Sequence, residues 1–161
     1  MDGWSAGYPT GVVSVITAAT GFLIAVLWFD LMFDVQVWRH RRSPEVPEAT
    51  LQSISAYYRR VTTTASPMGR LVGLVMFVLL AALVAQAISG DEPGWASVAS
   101  MAAALLGIGL AVARIFGRAR RLGARTDPPE LQGQLARGIF RAHVVCLAAM
   151  VTVLAVQLAG A

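Results

Sequence analysis

Trp28-Phe29-Asp30-Leu31-Met32-Phe33-Asp34 lies near the end of an apolar run that begins near Val12 and extends to Val37. A run of this length without a basic residue reads as a membrane-spanning helix, since about 20 apolar residues cross the hydrocarbon layer at ~1.5 Å rise each. Within it the two aspartates stand four residues apart, hence ~6 Å from one another on one helix face. Ionisable groups at membrane depth are costly to keep and are functional candidates by default. This stretch therefore sets the fold class and marks the first place to look for a site.

Three further apolar runs follow, so that spans are expected at about 12–37, 68–88, 95–116 and 142–158. Of the 161 residues 57% are hydrophobic and 14% charged, against about a quarter charged in soluble domains. No connection is long enough for a soluble domain, and residues 1–161 read as a single integral membrane domain. The fold class is an all-α membrane protein: a four-transmembrane-helix bundle surrounded by lipid.

All 13 basic residues are arginine, and all lie within 38–70 and 114–141. The positive-inside rule then puts loops 38–67 and 117–141 in the cytoplasm and both termini outside. Met1-Asp2-Gly3-Trp4 has an acid and no positive n-region, so the first span reads as retained rather than as a signal peptide. The expected location is a bacterial-type cytoplasmic membrane. The arginine excess is explained by topology, and nucleic acid is not an expected partner. Without lysine there is no Schiff-base chemistry. Cys146, the single cysteine, excludes an intramolecular disulfide and argues against a thiolate metal site.

The loops carry helix signals. Leu51, Ile54, Ser55, Tyr58 and Val61 recur at helical spacing within 48–63, predicting a short amphipathic helix at the cytoplasmic interface. Ser66-Pro67 is a start signal for the second span, and Gly90-Asp91-Glu92-Pro93-Gly94 an outer turn. The third span runs into Arg118-Ala119-Arg120-Arg121, with Gly123 as its expected stop. Asp127-Pro128-Pro129-Glu130 has capping-box spacing and starts the last helix, whose first part is the second short interfacial helix and which is expected to bend near Gly133 or Gly138 before it becomes the last span. The two halves echo one another: each reads span, basic cluster, interfacial helix, span, with Gln86 and Gln157 near the ends. That order suggests a parallel repeat.

Asp30, Asp34, Gln36, Arg70, Arg114 and His143 all fall within about two helical turns of the cytoplasmic edge. Two carboxylates this close in a low dielectric need compensation. An arginine supplies it (Arg114 or Arg141, with Arg70 at the same depth), or a bound cation, or one acid keeps a proton. The first of these is a packing clamp; the others make a loading site. Asp34 has Arg41 on its own stripe, which leaves Asp30 the more expensive group. His143 reads either as a packing histidine or as proton partner or metal ligand to Asp30. Trp28 and Phe33 are candidate walls of a pocket beside the acids. Gln86 and Gln157 are expected to hydrogen-bond between helices. No cofactor is expected; a cation or a lipid is the candidate ligand.

No Walker loop, nucleophile elbow, Cys-x-x-Cys or His-Glu-x-x-His motif is present, which weighs against a nucleotide-driven machine or a familiar metalloprotease but leaves room for an enzyme built on a few scattered intramembrane residues. The layout is loosely similar to several bacterial membrane families, including those grouped with anthrone oxygenases, and no motif transfers a residue or an activity from them. Three functions remain. In the first, Asp30 and Asp34 bind a proton or cation for transport or permeation. The second is a non-catalytic subunit or scaffold with Asp–Arg clamps. The third is a small enzyme or lipophile-binding protein using Asp30 and His143. Ser14, Thr17 and Thr20 offer transport a polar stripe, but Thr20 lies some 80° off the face of Asp30 at ~100° per residue. The small-residue faces predict a homo-oligomer or a partner membrane subunit.

Overall fold

The computed structural model describes residues 9–43, 45–64, 66–90 and 93–160. Over these the chain is helical: α1 (Pro9–Trp38), α2 (Glu48–Arg59), α3 (Ser66–Ser89), α4 (Gly94–Leu110), α5 (Phe116–Ala124) and α6 (Pro129–Gly160). A π-helical turn, Arg60–Thr64, follows α2, and another, Ala111–Ile115, carries α4 into α5. Four stretches are long and apolar enough to cross a membrane, one each in α1, α3, α4 with α5, and α6. The N-terminal residues 1–8 and Asp91-Glu92 in the expected outer turn lie outside the described residues.

Proline places the helix starts. Pro9, Pro67 and Pro129 occupy the first two positions of α1, α3 and α6, while Pro47 and Pro93 immediately precede α2 and α4. At these sites the missing N–H has no intrahelical partner to lose, and the fixed φ suits the first turn. Between them the apolar runs carry no proline, and the helices continue.

Helix α1 packs on α3 and α6, and α4 packs on the same two, so the spans close a ring in the order α1–α3–α4–α6. Hydrophobic transfer does not drive such packing in lipid; close backbone approach does. At Gly107 a Cβ would stand 2.9 Å from Met150 Cε and 3.4 Å from Ala149 Cβ, so α4 and α6 are in close contact here and a side chain at 107 would first have to displace the end of Met150. At the far end from the arginines, Gln86 and Gln157 reach across the ring and exchange hydrogen bonds of 2.9 and 3.1 Å.

The amphipathic helix of the first loop is α2, which buries Leu51, Ile54 and Tyr58 against the arginine-bearing end of the bundle. Burial of each such side chain contributes ~1.5–3 kcal/mol. It crosses α5 at Gly123, where a Cβ would lie 2.8 Å from the Arg59 backbone nitrogen, and Arg59 Nε donates to the Gly123 carbonyl at 3.1 Å. Gly123 is thus a crossing point and not the helix stop. The helix runs on to Ala124, and Arg125 takes the left-handed conformation (φ 53°) with its guanidinium 2.7 Å from Glu48.

The second short helix does not exist as a separate element among the described residues. Residues 129–141 are the first part of an unbroken α6, because Gly133 and Gly138 weaken a helix without interrupting its hydrogen bonds. Asp127 pairs with Arg121 at 2.8 Å, and Gln132 Nε2 donates to the Asp127 carbonyl at 2.7 Å, in place of the expected capping box.

Candidate functional site

One face of α1 presents Asp30 and Asp34 to α6 and α2, and His143 of α6 stands between them. Its Nδ1 lies 2.6 Å from Asp34 Oδ2, a hydrogen bond, and its Nε2 3.7 Å from Asp30 Oδ2, an ion-pair separation only. From α2 the Tyr58 hydroxyl donates to Asp34 Oδ1 at 2.7 Å and the Tyr57 hydroxyl to Asp30 Oδ1 at 2.6 Å. Neighbouring tyrosines splay ~100° apart on a helix, which lets two adjacent residues serve two acids one turn apart. Phe33 stacks on Tyr57 (centroids 4.1 Å, interplanar angle 10°) and holds that ring in place.

The two acids are not equivalent. Asp34 is 1% exposed, and each of its oxygens accepts a short hydrogen bond. Asp30 retains 18% exposure and has one hydrogen-bonded oxygen. Burial, and then the neighbouring carboxylates, push both phenols well above the ordinary tyrosine value, so they remain protonated donors.

Beside Asp30 lies a cavity of about 710 Å³. Leu27 and Phe33 of α1, Tyr57 of α2, Val72 and Met76 of α3, Ile108 and Ala111 of the α4 side, and His143 and Cys146 of α6 line it. Both π turns border it, through Val61 and Thr62 in one and Ala111 and Ile115 in the other; such turns recur beside functional sites. Arg70 and Arg120 stand among the lining residues as well. Along α1 the lining reaches no further than Leu23, so Ser14, Thr17 and Thr20 continue no polar route from it.

Of the residues singled out from sequence, the fold brings together Asp30, Asp34, His143 and Phe33. It does not bring Arg70, Arg114 or Arg141 to either acid: all three are exposed, and among the described residues the ion-pair partner of both acids is His143. A long arginine stem turns its head to water more cheaply than it buries it. Arg41 stacks on the Trp38 ring at 4.6 Å instead of reaching Asp34. Trp28 is 60% exposed on the outer face of α1 and is no cavity wall. Among the described residues no group of three His, Cys, Asp or Glu side chains is disposed to hold a metal ion. Tyr57 and Tyr58 were missed as partners. Their signal was an aromatic pair on an amphipathic helix next to two buried acids.

These features define a small multi-span helical membrane protein with an ionisable cluster at one end and no nucleotide or thiolate machinery in its sequence. Comparison with known families carries the identification further. The model of the SHR3 chaperone family, described as "ER membrane protein SH3", matches residues 9–161, and the chain belongs to that family. No curated protein and no solved structure matches it. The family is one of the endoplasmic reticulum membrane, which overturns the bacterial cytoplasmic location read from the arginine loops; the positive-inside pattern orients a protein in either membrane and does not tell them apart. Family membership lends no support to transport and points to a membrane-associated chaperone role.

Proposed function

We propose that the protein is a non-catalytic chaperone that holds spans of other membrane proteins while they assemble, with its arginine-bearing end toward the cytosol. The observation that carries this reading is the match to a membrane chaperone family over nearly the whole described chain. The packing agrees with it. Only 17% of the most apolar window of α3 is buried within the protein, against 39% for α6, so α3 offers the most side-chain surface to a neighbouring helix. In lipid such a surface recruits another span by close packing and hydrogen bonding rather than by hydrophobic transfer. The partner is then a client membrane protein.

The test is depletion of the protein from cells followed by quantitative comparison of membrane proteins. A defined subset of multi-span proteins is expected to be retained in the endoplasmic reticulum and to aggregate in mild detergent. Unchanged location and solubility of every membrane protein would refute the chaperone reading.

A further inference from the structure

Asp30 and Asp34 share one imidazole, and the ring of His143 reaches only one of the two carboxylates at hydrogen-bond distance. Asp34 takes the nearer nitrogen, at 2.6 Å, and Asp30 stands 3.7 Å from the other, beyond hydrogen-bond reach. Among the described residues no arginine lies within ion-pair distance of either acid. The carboxylate left short of a partner is therefore the one that lines the cavity. The walls around it, Leu27, Val72, Met76 and Ile108, are apolar and of medium size. A carboxyl group with one oxygen free of hydrogen bonds at the side of an apolar space is complementary to a cationic head on an apolar stem, which would hold it as the carboxylate.

We propose that this cavity receives a lysine or arginine side chain from a transmembrane helix of a client protein, with Asp30 Oδ2 as its counter-ion. The proposal rests on the chaperone reading and names the chemistry of the client. Spans of membrane proteins carry lysine and arginine at their cytosolic flanks, and the arginine-bearing end of this protein obeys the same rule. Client cation and Asp30 then lie level in one leaflet. Size agrees: one turn of helix, ~10 Å across and ~5.4 Å tall, fills roughly 400 Å³. A cavity of about 710 Å³ exceeds that volume and so has room for a long cationic side chain and its neighbours on the turn, while the client helix lies outside against the exposed rim of Phe29, Met68 and Phe116. Arg70 and Arg120 also line the space, but both are exposed, and solvent and salt screen them far more than they screen Asp30.

The experiment uses the full chain and its Asp30→Asn variant in phosphatidylcholine nanodiscs. The probes are two labelled Leu/Ala transmembrane peptides, identical except for lysine or norleucine one turn from the cytosolic end, with binding read by energy transfer. The wild type should bind the lysine peptide about tenfold to a hundredfold more tightly, the range of a charge-assisted hydrogen bond. Asp30→Asn, at unchanged melting temperature, should bind both peptides alike at the norleucine level. Equal binding of both peptides by the wild type overturns the proposal and leaves the chaperone reading standing, as does a lysine preference that survives in Asp30→Asn. Two other results also overturn it by naming another occupant: one phospholipid per chain that the lysine peptide does not displace, or self-association of the wild type that Asp30→Asn abolishes. No binding of either peptide overturns it too, and the chaperone reading then stands or falls on the depletion result.

Discussion

Two polar clusters hold opposite ends of the same four-helix ring, and they differ in charge and closure. At one end Gln86, Gln157 and Ser100 are 3%, 4% and 0% exposed, and the two amides bond to one another while Gln157 Nε2 also reaches Ser100 Oγ at 3.1 Å. That cluster is neutral and closed on itself. At the other end Asp30, Asp34, His143, Tyr57 and Tyr58 tie α1, α2 and α6 with ionisable groups, and one member opens on a cavity. A packing lock needs only the first kind of chemistry. The second keeps ionisable groups away from water and leaves one carboxyl oxygen without a hydrogen bond, which is the property of a site.

The strongest way to break the contrast is at His143. His143→Leu leaves Asp34 buried with Tyr58 as its remaining partner, and the loss should be ~3–5 kcal/mol, read from thermal unfolding in detergent. The double variant Asp34→Leu with His143→Leu should recover most of it, because an apolar pair of similar volume needs no compensation. If the single variant melted like the wild type, the charged end would be no more demanding than the amide end.

The second prediction concerns α2. Tyr58→Phe removes a hydrogen bond to a buried carboxylate and should destabilise by ~1.5–3 kcal/mol. It also changes the alkaline limb. With both phenols held above the ordinary value of 10.0, the folded state keeps protons that the unfolded chain releases. Their contribution is therefore present below about pH 10 and is lost progressively as pH rises beyond it. Unfolding midpoints measured from pH 8 to 11 should fall less steeply in Tyr58→Phe than in the wild type. Equal slopes would show that the phenols do not titrate differently on folding.

Much of this was legible in the chain, and the failures are physical. Apolar length gave the four spans, and helical period put Asp30 and Asp34 on one face. Depth counted from the arginine loops put His143 at their level. Rotation about a helix axis is not set by depth, so Trp28 was read as a wall when it faces outward, and arginines at the correct depth were assigned to acids that they do not touch. Tyr57 and Tyr58 reach the acids through a long-range contact, the crossing of α2 over Gly123, which no local period encodes. Location failed for a different reason: the arginine bias reports orientation, not which organelle supplies the membrane.

At the amide end the expected effects shrink. Gln86→Leu takes the donor from the Gln157 carbonyl oxygen and should lose ~0.6–2 kcal/mol, whereas Gln86→Leu with Gln157→Leu should lose less than the two changes summed, with Ser100 Oγ the group left without its Gln157 partner. A double variant as unstable as the sum of the singles would mean that this cluster, too, does more than lock helices together.

The smallest stability effect should come from Asp30→Asn. The amide oxygen can still accept from Tyr57, the hydrogen bond that Asp30 makes in the wild type, so the local hydrogen bonding survives. What changes is the charge: two carboxylates around one imidazole become one, and the cluster reaches the balance that the amide end has by composition. A melting temperature within about 2 °C of the wild type, or slightly above it, is expected, since an amide of the same shape keeps the bond to Tyr57 and removes an acid from a desolvated site. If Asp30→Asn instead unfolded the protein as His143→Leu does, Asp30 would be as much a part of the lock as Asp34. A stable variant that has lost its preference for a basic client helix would separate the two acids cleanly, one holding the ring together and its neighbour, a turn away, facing the partner.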